Sequence, residues 1–210
     1  MKKIRTLTAL FGLLSTTVAV ADETEVNTSS NFAEYAVLAG VSPLGGFSGS
    51  FAHHASEKTS WVFSFGGTPD LNIEVDMDGD TYSVFNVSSW VGFFVNHRPF
   101  VNADWFRLVA GLGVGTIENR IERLEPNGFA TDEQYEANYH ENPVGYLGIG
   151  FGMKPVEGFI WAVDIGWLQT SGPEVRGVHV ATADGIEAIE NSWMFGSVLP
   201  SLQLSLGYGF

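Results

Sequence analysis

The sequence predicts an all-β fold: an eight-stranded, antiparallel, up-and-down transmembrane β-barrel. Three observations predict it. The chain opens with an export signal, and apolar side chains alternate with small or polar ones along eight segments. The connections between those segments mostly alternate between short and long. A chain that crosses a membrane without apolar helices can satisfy its backbone hydrogen bonds only as a closed barrel.

The first 21 residues have the three parts of a signal peptide. A positive region within residues 1–5 is followed by the apolar stretch 6–18 and by the small-x-small cleavage site Ala19-Val20-Ala21. Cleavage would leave a short periplasmic segment, residues 22–30, before a barrel domain of residues 31–210. Beyond the cleavage site no apolar run approaches the roughly 20 residues of a transmembrane helix.

The amino-acid composition limits the kinds of molecule that the protein is expected to bind. The 210 residues include 25 Gly, 16 Phe and 6 Trp but no Cys, and the formal net charge is −14. Loss of Lys2, Lys3 and Arg5 with the signal peptide makes the net charge −17. Such a chain is not expected to bind nucleic acid, which requires clustered Lys and Arg, whereas divalent cations remain possible partners. Disulfides are excluded, and no cofactor-binding motif is present.

The clearest alternation lies at the C-terminus. From residue 201 to residue 210, apolar side chains occupy every second position, as in a strand with one apolar face. Its apolar members are Leu202, Leu204, Leu206, Tyr208 and Phe210. The same period marks seven earlier segments, each about as long as a tilted strand needs to cross a bilayer. These are residues 32–41, 46–54, 60–66, 85–96, 106–115, 146–153 and 159–168.

The connections show the asymmetry of a membrane barrel, in which short turns face the periplasm and long loops face the outside. The short connections are 55–59, 97–103 and 155–158, and the long ones are 67–81, 116–142 and 169–191. Residues 42–45 are an exception, because they form a very short outer loop.

The distribution of side-chain size indicates which face is outside. In each segment the large apolar residues share one face, and the opposite face is rich in Gly and Ser, which suits a narrow lumen. Trp90, Phe94 and Tyr146 belong to the small face and are expected to fill space left by opposing glycines. A soluble barrel would show the reverse arrangement, with its apolar residues inside.

A strand that ends on Phe210, two residues after Tyr208, resembles the C-terminal signature of bacterial outer-membrane proteins. Residues 31–210 are similar in architecture to small outer-membrane barrels of the OmpX, OmpW and OmpA-barrel kind. The resemblance implies an integral protein of a Gram-negative outer membrane, in contact with its lipid and lipopolysaccharide. It also implies that the barrel-assembly machinery recognises Tyr208 and Phe210. No subfamily motif matches, so no activity is implied.

Three charged residues fall on the lumen face: Glu34, Arg107 and Asp164. Because an unpaired charge in a barrel interior is costly, we expect Arg107 to lie between the two carboxylates. Such a network could be a structural plug or a gate in a polar conduit. The plug is favoured, because eight-stranded barrels are usually filled by their own side chains.

A second charged group, Asp76, Asp78 and Asp80, lies in the second outer loop. Three alternating carboxylates could converge on a hard cation. The alternative is a hairpin tip, since Asp78-Gly79 is a favoured two-residue turn. The hairpin is the preferred interpretation.

Two hypotheses of function follow. The first is a non-enzymatic surface protein whose acidic outer loops serve envelope integrity, adhesion or surface interaction, with divalent cations as possible partners. The second is a narrow channel or a binder for small or hydrophobic solutes. Catalysis is not expected: the only His-x-Ser spacing, His54 and Ser56, has no evident acidic partner except Glu57.

Overall fold

The computed structural model describes residues 31–42, 46–125, 128–140 and 143–210. The signal peptide and the segment 22–30 lie outside the described residues. Within these ranges the chain forms ten strands and one helix. They are β1 (Tyr35–Ser42), β2 (Gly46–His54), β3 (Thr59–Met77), β4 (Asp80–His97), β5 (Phe106–Leu124), β6 (Ala130–Tyr139), β7 (Val144–Gly152), β8 (Gly158–Gln169), β9 (Glu174–Gly177), α1 (Ala183–Glu190) and β10 (Val198–Gly209).

Eight of these strands close into an antiparallel ring in the order β1-β2-β3-β4-β5-β7-β8-β10, with β10 paired back to β1. Closure extends to the last residue, because Phe210 N–H donates to the Tyr35 carbonyl at 2.8 Å and Tyr35 N–H donates to the Phe210 carbonyl at 2.9 Å. Each predicted segment overlaps one ring strand, although several of the strands are longer than predicted. The predicted eight-stranded barrel is therefore confirmed.

The wall has an apolar outer face and a small-residue inner face, as the alternation predicts. On β10, Leu206 and Tyr208 are each 58% exposed to the outside, whereas Ser205 is buried. Inside, Phe94 packs edge-to-face against Tyr146 with ring centroids 5.6 Å apart. A Cβ at Gly111 would lie 2.3 Å from the Phe94 ring. Phe94 therefore fits inside the lumen because its neighbour is a glycine.

The ring strands differ in length, which the sequence pattern does not predict. β3, β4 and β5 have 19, 18 and 19 residues, whereas a tilted strand crosses a bilayer in about 9–11. Each long strand therefore extends well beyond the barrel at one end. Most of the predicted loops 67–81 and 116–142 are thus paired strands. We call this part the cap; its described residues are 69–86, 116–125, 128–140 and 170–197.

The cap has a hydrophobic core of its own. β6 pairs with the outer half of β5, and β9 pairs with β6. Helix α1 packs its buried Ile189 against this extended sheet. Thr182 begins the helix, because its hydroxyl accepts a hydrogen bond from Gly185 N–H at 3.1 Å. The buried members of the core are Met77, Tyr82, Val84, Ile121, Tyr135, Ala137, Ile189 and Phe195.

The opposite end, which we call the turn end, carries the short turns 55–58, 98–105 and 153–157. A smaller apolar cluster of Ala36, Ala52, Val156 and Ile160 fills it. Val156 comes from the β7–β8 turn, which hydrogen-bonds to the backbone of residues 31 and 33. Among the described residues no helix is long and apolar enough to cross a membrane.

Candidate functional site

A cavity of about 270 Å³ occupies the lumen between the turn-end cluster and the cap. Its wall is mainly apolar and includes Trp90, Phe94 and Leu168, while Phe195 of the cap core lies at the cap side. An engineered apolar cavity of ~150 Å³ holds benzene, and drug-sized ligands need ~300 Å³ or more. The lumen therefore has room for a small organic molecule or several waters.

The polar floor of the cavity is an ion pair. Arg107, near the start of β5, donates from Nη2 to both carboxylate oxygens of Asp164 on β8, each at 2.8 Å. The side chains are 6% and 18% exposed. Both lie beside Gly150 of β7, where a Cβ would stand 2.3 Å from Asp164 Oδ1 and 2.6 Å from Arg107 Nε. Because Gly150 has no side chain, Arg107 and Asp164 can approach each other across β7.

Glu34, the third member of the predicted network, does not join this pair. It has the inward parity, but it precedes β1, and the structure places it exposed at the turn end. The ion pair is thus a two-residue contact, and its guanidinium keeps a buried Nε with no hydrogen-bond partner among the described residues.

Two further basic residues, His54 and Arg98, lie near Arg107. His54 ends β2 on the inner face, and its Nδ1 is 2.6 Å from the Ser60 hydroxyl. Arg98 folds inward from the β4–β5 turn and donates to the carbonyls of Asp104 and Met153, each at 2.9 Å. Sequence reasoning missed both as lumen residues. His54 occupies an alternating position that points into the barrel, so the sequence pattern could have predicted it. Arg98 lies beyond the end of its strand, where the alternation does not predict side-chain direction.

Hydroxyl and amide side chains line the lumen next to the ion pair, where Gln203 of β10 is the sheet neighbour of Asp164. The Ser50 and Ser64 hydroxyls are 2.8 Å apart, and Gln203 Nε2 donates to the Ser48 hydroxyl at 3.1 Å. These groups satisfy one another across β10, β1, β2 and β3. They form a neutral polar wall that carries no charge.

The three aspartates of the second outer loop do not converge on one point. Asp78 and Gly79 have φ of 49° and 91° and form the two-residue turn between β3 and β4. Asp76 accepts a hydrogen bond from the Thr81 hydroxyl at 2.7 Å, and Asp80 pairs with Arg123 at 2.7 Å. In the described part of the chain, no group of three or more His, Asp or Glu side chains is placed to hold a metal ion.

Glu133 is the centre of a polar network in the cap. Its carboxylate accepts hydrogen bonds from Arg123 at 2.9 Å, from the Thr182 hydroxyl at 3.0 Å and from the Tyr135 hydroxyl. Burial raises the pKa of Glu133, but the hydrogen bonds from Tyr135, Arg123 and Thr182 outweigh it and leave the pKa below its ordinary value. The network ties β5, β6 and the start of α1 together.

Of the remaining predicted residues, Ser56, Tyr208 and Phe210 lie away from the cavity. Ser56 bonds to the backbone N–H groups of Lys58 and Thr59 within its own turn, and His54 contacts Ser60 instead. The geometry thus offers no Ser-His pair between His54 and Ser56. Tyr208 and Phe210 face outward and are 58% and 54% exposed.

The chain is similar to known proteins in fold but not in sequence. No model of a known protein family matches the chain, and no curated protein sequence matches it. A crystal structure of CarO, an outer-membrane protein of Acinetobacter baumannii, superposes with a TM-score of 0.64 at 16% identity, covering 87% of this chain and 100% of CarO. CarO2 of the same organism gives 0.64 at 15% identity, covering 86% of this chain and all of CarO2. The chain therefore has the fold of a small outer-membrane β-barrel.

Proposed function

We propose that this protein is a non-enzymatic, integral outer-membrane barrel that presents a folded acidic cap at the cell surface. Its role would be surface interaction, adhesion or envelope integrity. The observation that carries the proposal is the cap core, because strands packed around Ile121, Tyr135 and Ile189 hold the outer part in one shape. A surface of fixed shape suits recognition better than mobile loops do.

The outer wall supports the membrane location. Phe47, Phe65, Leu147 and Trp167 are each more than half exposed and point away from the lumen. A water-soluble barrel would not tolerate a continuous apolar belt of this kind. Lipid and the acyl chains of lipopolysaccharide are its natural contacts.

The charge of the cap supports a surface role. The three arginines in its described part, Arg120, Arg123 and Arg176, are all paired with carboxylates. Carboxylates such as Glu118 and Asp132 stay exposed, so the cap has an excess of negative charge. Divalent cations and basic partners are the chemistry that such a surface attracts.

Topology can be tested by labelling, since the chain has no cysteine of its own. We expect Asp132→Cys, on the cap, to react with a membrane-impermeant maleimide in intact cells. Lys58→Cys, at the turn end, should react only after the outer membrane is permeabilised. Labelling of Lys58→Cys alone in intact cells would reverse the proposed orientation.

The surface role needs a separate test. Exposed cap carboxylates would be neutralised together, as Glu118→Gln, Asp132→Asn and Glu187→Gln, with Glu57→Gln at the turn end as the control. We expect cells that carry the cap variant to change in surface adhesion or in detergent sensitivity, while control cells match the wild type. Equal behaviour of all three strains would contradict the surface role.

A second function, solute binding in the lumen, is favoured by the cavity. An open channel is less favoured, because the clusters around Val156 and around Phe195 fill the two ends. We expect no steady current from the protein in planar bilayers, and none from Arg107→Ala. A steady current from the wild type would show a continuous conduit and overturn the closed-lumen interpretation.

A further inference from the structure

We infer that the floor of the lumen cavity is an anion subsite, so that the solute is a small organic anion with an apolar body. The inference rests on the second candidate function, binding in the lumen, and adds the chemical class of the solute. Arg107 and His54, which line the cavity, would provide the anion-facing groups, and Arg98 beside them would add positive charge.

The first argument is a balance of buried charge. Arg98 and Arg107 are each 5% exposed, and they face one partly buried carboxylate, Asp164. The acidic residues of the adjoining turns, Asp104 and Glu157, are exposed. Two buried guanidiniums against one carboxylate leave an excess positive charge. Buried charges are normally paired, so this excess favours a bound anion.

The second argument is a set of unused donors. Within the described ranges, Arg107 Nε, Arg98 Nη1 and His54 Nε2 are buried and lack hydrogen-bond partners. Leaving such groups unpaired is costly, and more so for charged ones. An anion would select the tautomer in which His54 Nε2 carries the proton and Nδ1 accepts from the Ser60 hydroxyl. His54 and Arg107 both line the cavity.

The third argument concerns the rest of the solute. Above the floor, the wall includes the aromatic side chains Trp90, Phe94 and Tyr146. Space of about 270 Å³ fits one aromatic ring or a short chain with its charged group. A monocarboxylate with one ring would place its charge at Arg107 and its ring against these side chains.

Fluorine NMR of the barrel in lipid nanodiscs can test this inference, with 4-fluorobenzoate as the anionic probe and 4-fluorobenzyl alcohol as the neutral match. We expect 4-fluorobenzoate to bind more tightly than the alcohol. The paired variant Arg107→Gln/Asp164→Asn should weaken the benzoate about tenfold or more, the size expected for charged hydrogen bonds, and leave the alcohol unchanged. Lys58→Gln, an exposed charge at the turn end, should affect neither probe.

The outcomes separate the two ideas. Binding of the alcohol with equal or weaker binding of the benzoate would overturn the anion subsite and leave the binding cavity intact. Binding of neither probe would overturn both. If the paired variant does not fold, His54→Phe keeps a ring of similar size without its nitrogens and should still weaken 4-fluorobenzoate selectively; unchanged affinity for it would overturn the role of His54 in the subsite.

Discussion

At Gly150 a single missing side chain decides whether the buried ion pair can form. Arg107 and Asp164 reach across β7 from the two neighbouring strands, and Gly150 is paired with both. Any Cβ there would stand closer to Asp164 Oδ1 and Arg107 Nε than van der Waals contact allows. The pair therefore depends on a residue that carries no charge.

Gly150→Ala should displace the ion pair and destabilise the barrel by about 3 kcal/mol, since separating buried charges leaves both uncompensated. The free energy of unfolding can be measured by urea titration of the protein in phospholipid vesicles. The matched control is Gly145→Ala on the same strand, where the nearest heavy atom to a new Cβ is Gln169 Cβ at 3.8 Å. A loss no larger than that of the control would show that the pair adjusts freely.

Strand parity explains which site residues could be predicted. Arg107 and Asp164 lie within regular strands, where every second side chain points inward, so their meeting follows from the pattern. Glu34 has the right parity but precedes the strand, where parity no longer fixes direction. Arg98 enters the lumen from a turn, and its position depends on backbone carbonyls of Asp104 and Met153 that lie far apart in sequence.

Among the elements, the cap departs most from what the sequence indicated. Its hairpin was predicted in part, because Leu71, Ile73 and Val75 alternate toward Asp78-Gly79. β6 carries charged or polar residues at exposed or half-exposed positions such as Asp132, Gln134 and Glu136, so its buried Tyr135 and Ala137 are hard to recognise. Pairing with the outer half of β5 makes it a strand, and that contact is not visible in local sequence.

The Glu133 network should make the cap sensitive to acid. Because the folded-state pKa of Glu133 is lowered, its contribution to stability is complete above the unfolded-state pKa, about 4.3, and is lost as pH falls toward the folded-state pKa. We expect amide hydrogen exchange in β6 and α1 to quicken in this window while the ring strands stay protected. Glu133→Gln should quicken exchange at neutral pH and reduce the acid dependence. Equal acid dependence in both proteins would assign the effect to other groups.

The helix start offers a second test of the cap. Thr182→Ala removes the acceptor for Gly185 N–H and the donor to Glu133, so α1 should lose about 1 kcal/mol of local stability. Hydrogen exchange of the α1 amides measures this loss. Thr182→Ser retains the hydroxyl and should restore most of it. If α1 is as unstable in the serine variant as in the alanine variant, the methyl group of Thr182 stabilises the helix and the hydrogen bonds of its hydroxyl do not.

Across the whole molecule, charged and apolar surface residues occupy different zones along the barrel axis. Exposed carboxylates such as Glu118, Asp132 and Glu187 lie on the cap, and the outer wall carries the aromatic belt. Lys58 and Lys154 lie in turns at the other end. This order was predictable in outline, since the alternation fixes the wall and the long connections contain most of the acids. The shape of the cap was not, because it arises from contacts between distant strands.

The last residue closes the barrel wall, and the sequence predicts that the assembly machinery also recognises it; these two roles can be tested separately. Phe210→Ala keeps both backbone hydrogen bonds to Tyr35 and removes only an outward ring that stacks on Tyr35 with centroids 6.2 Å apart. Stability in lipid should therefore fall by about 1 kcal/mol or less. Folding into pure lipid vesicles should be nearly unchanged, while the folded amount in the outer membrane of cells should fall severalfold if the assembly machinery reads this residue. Phe47→Ala, which removes an outward Phe that is 62% exposed elsewhere on the wall, is the matched control. If both variants assemble equally well in cells, the terminal Phe210 acts only through packing.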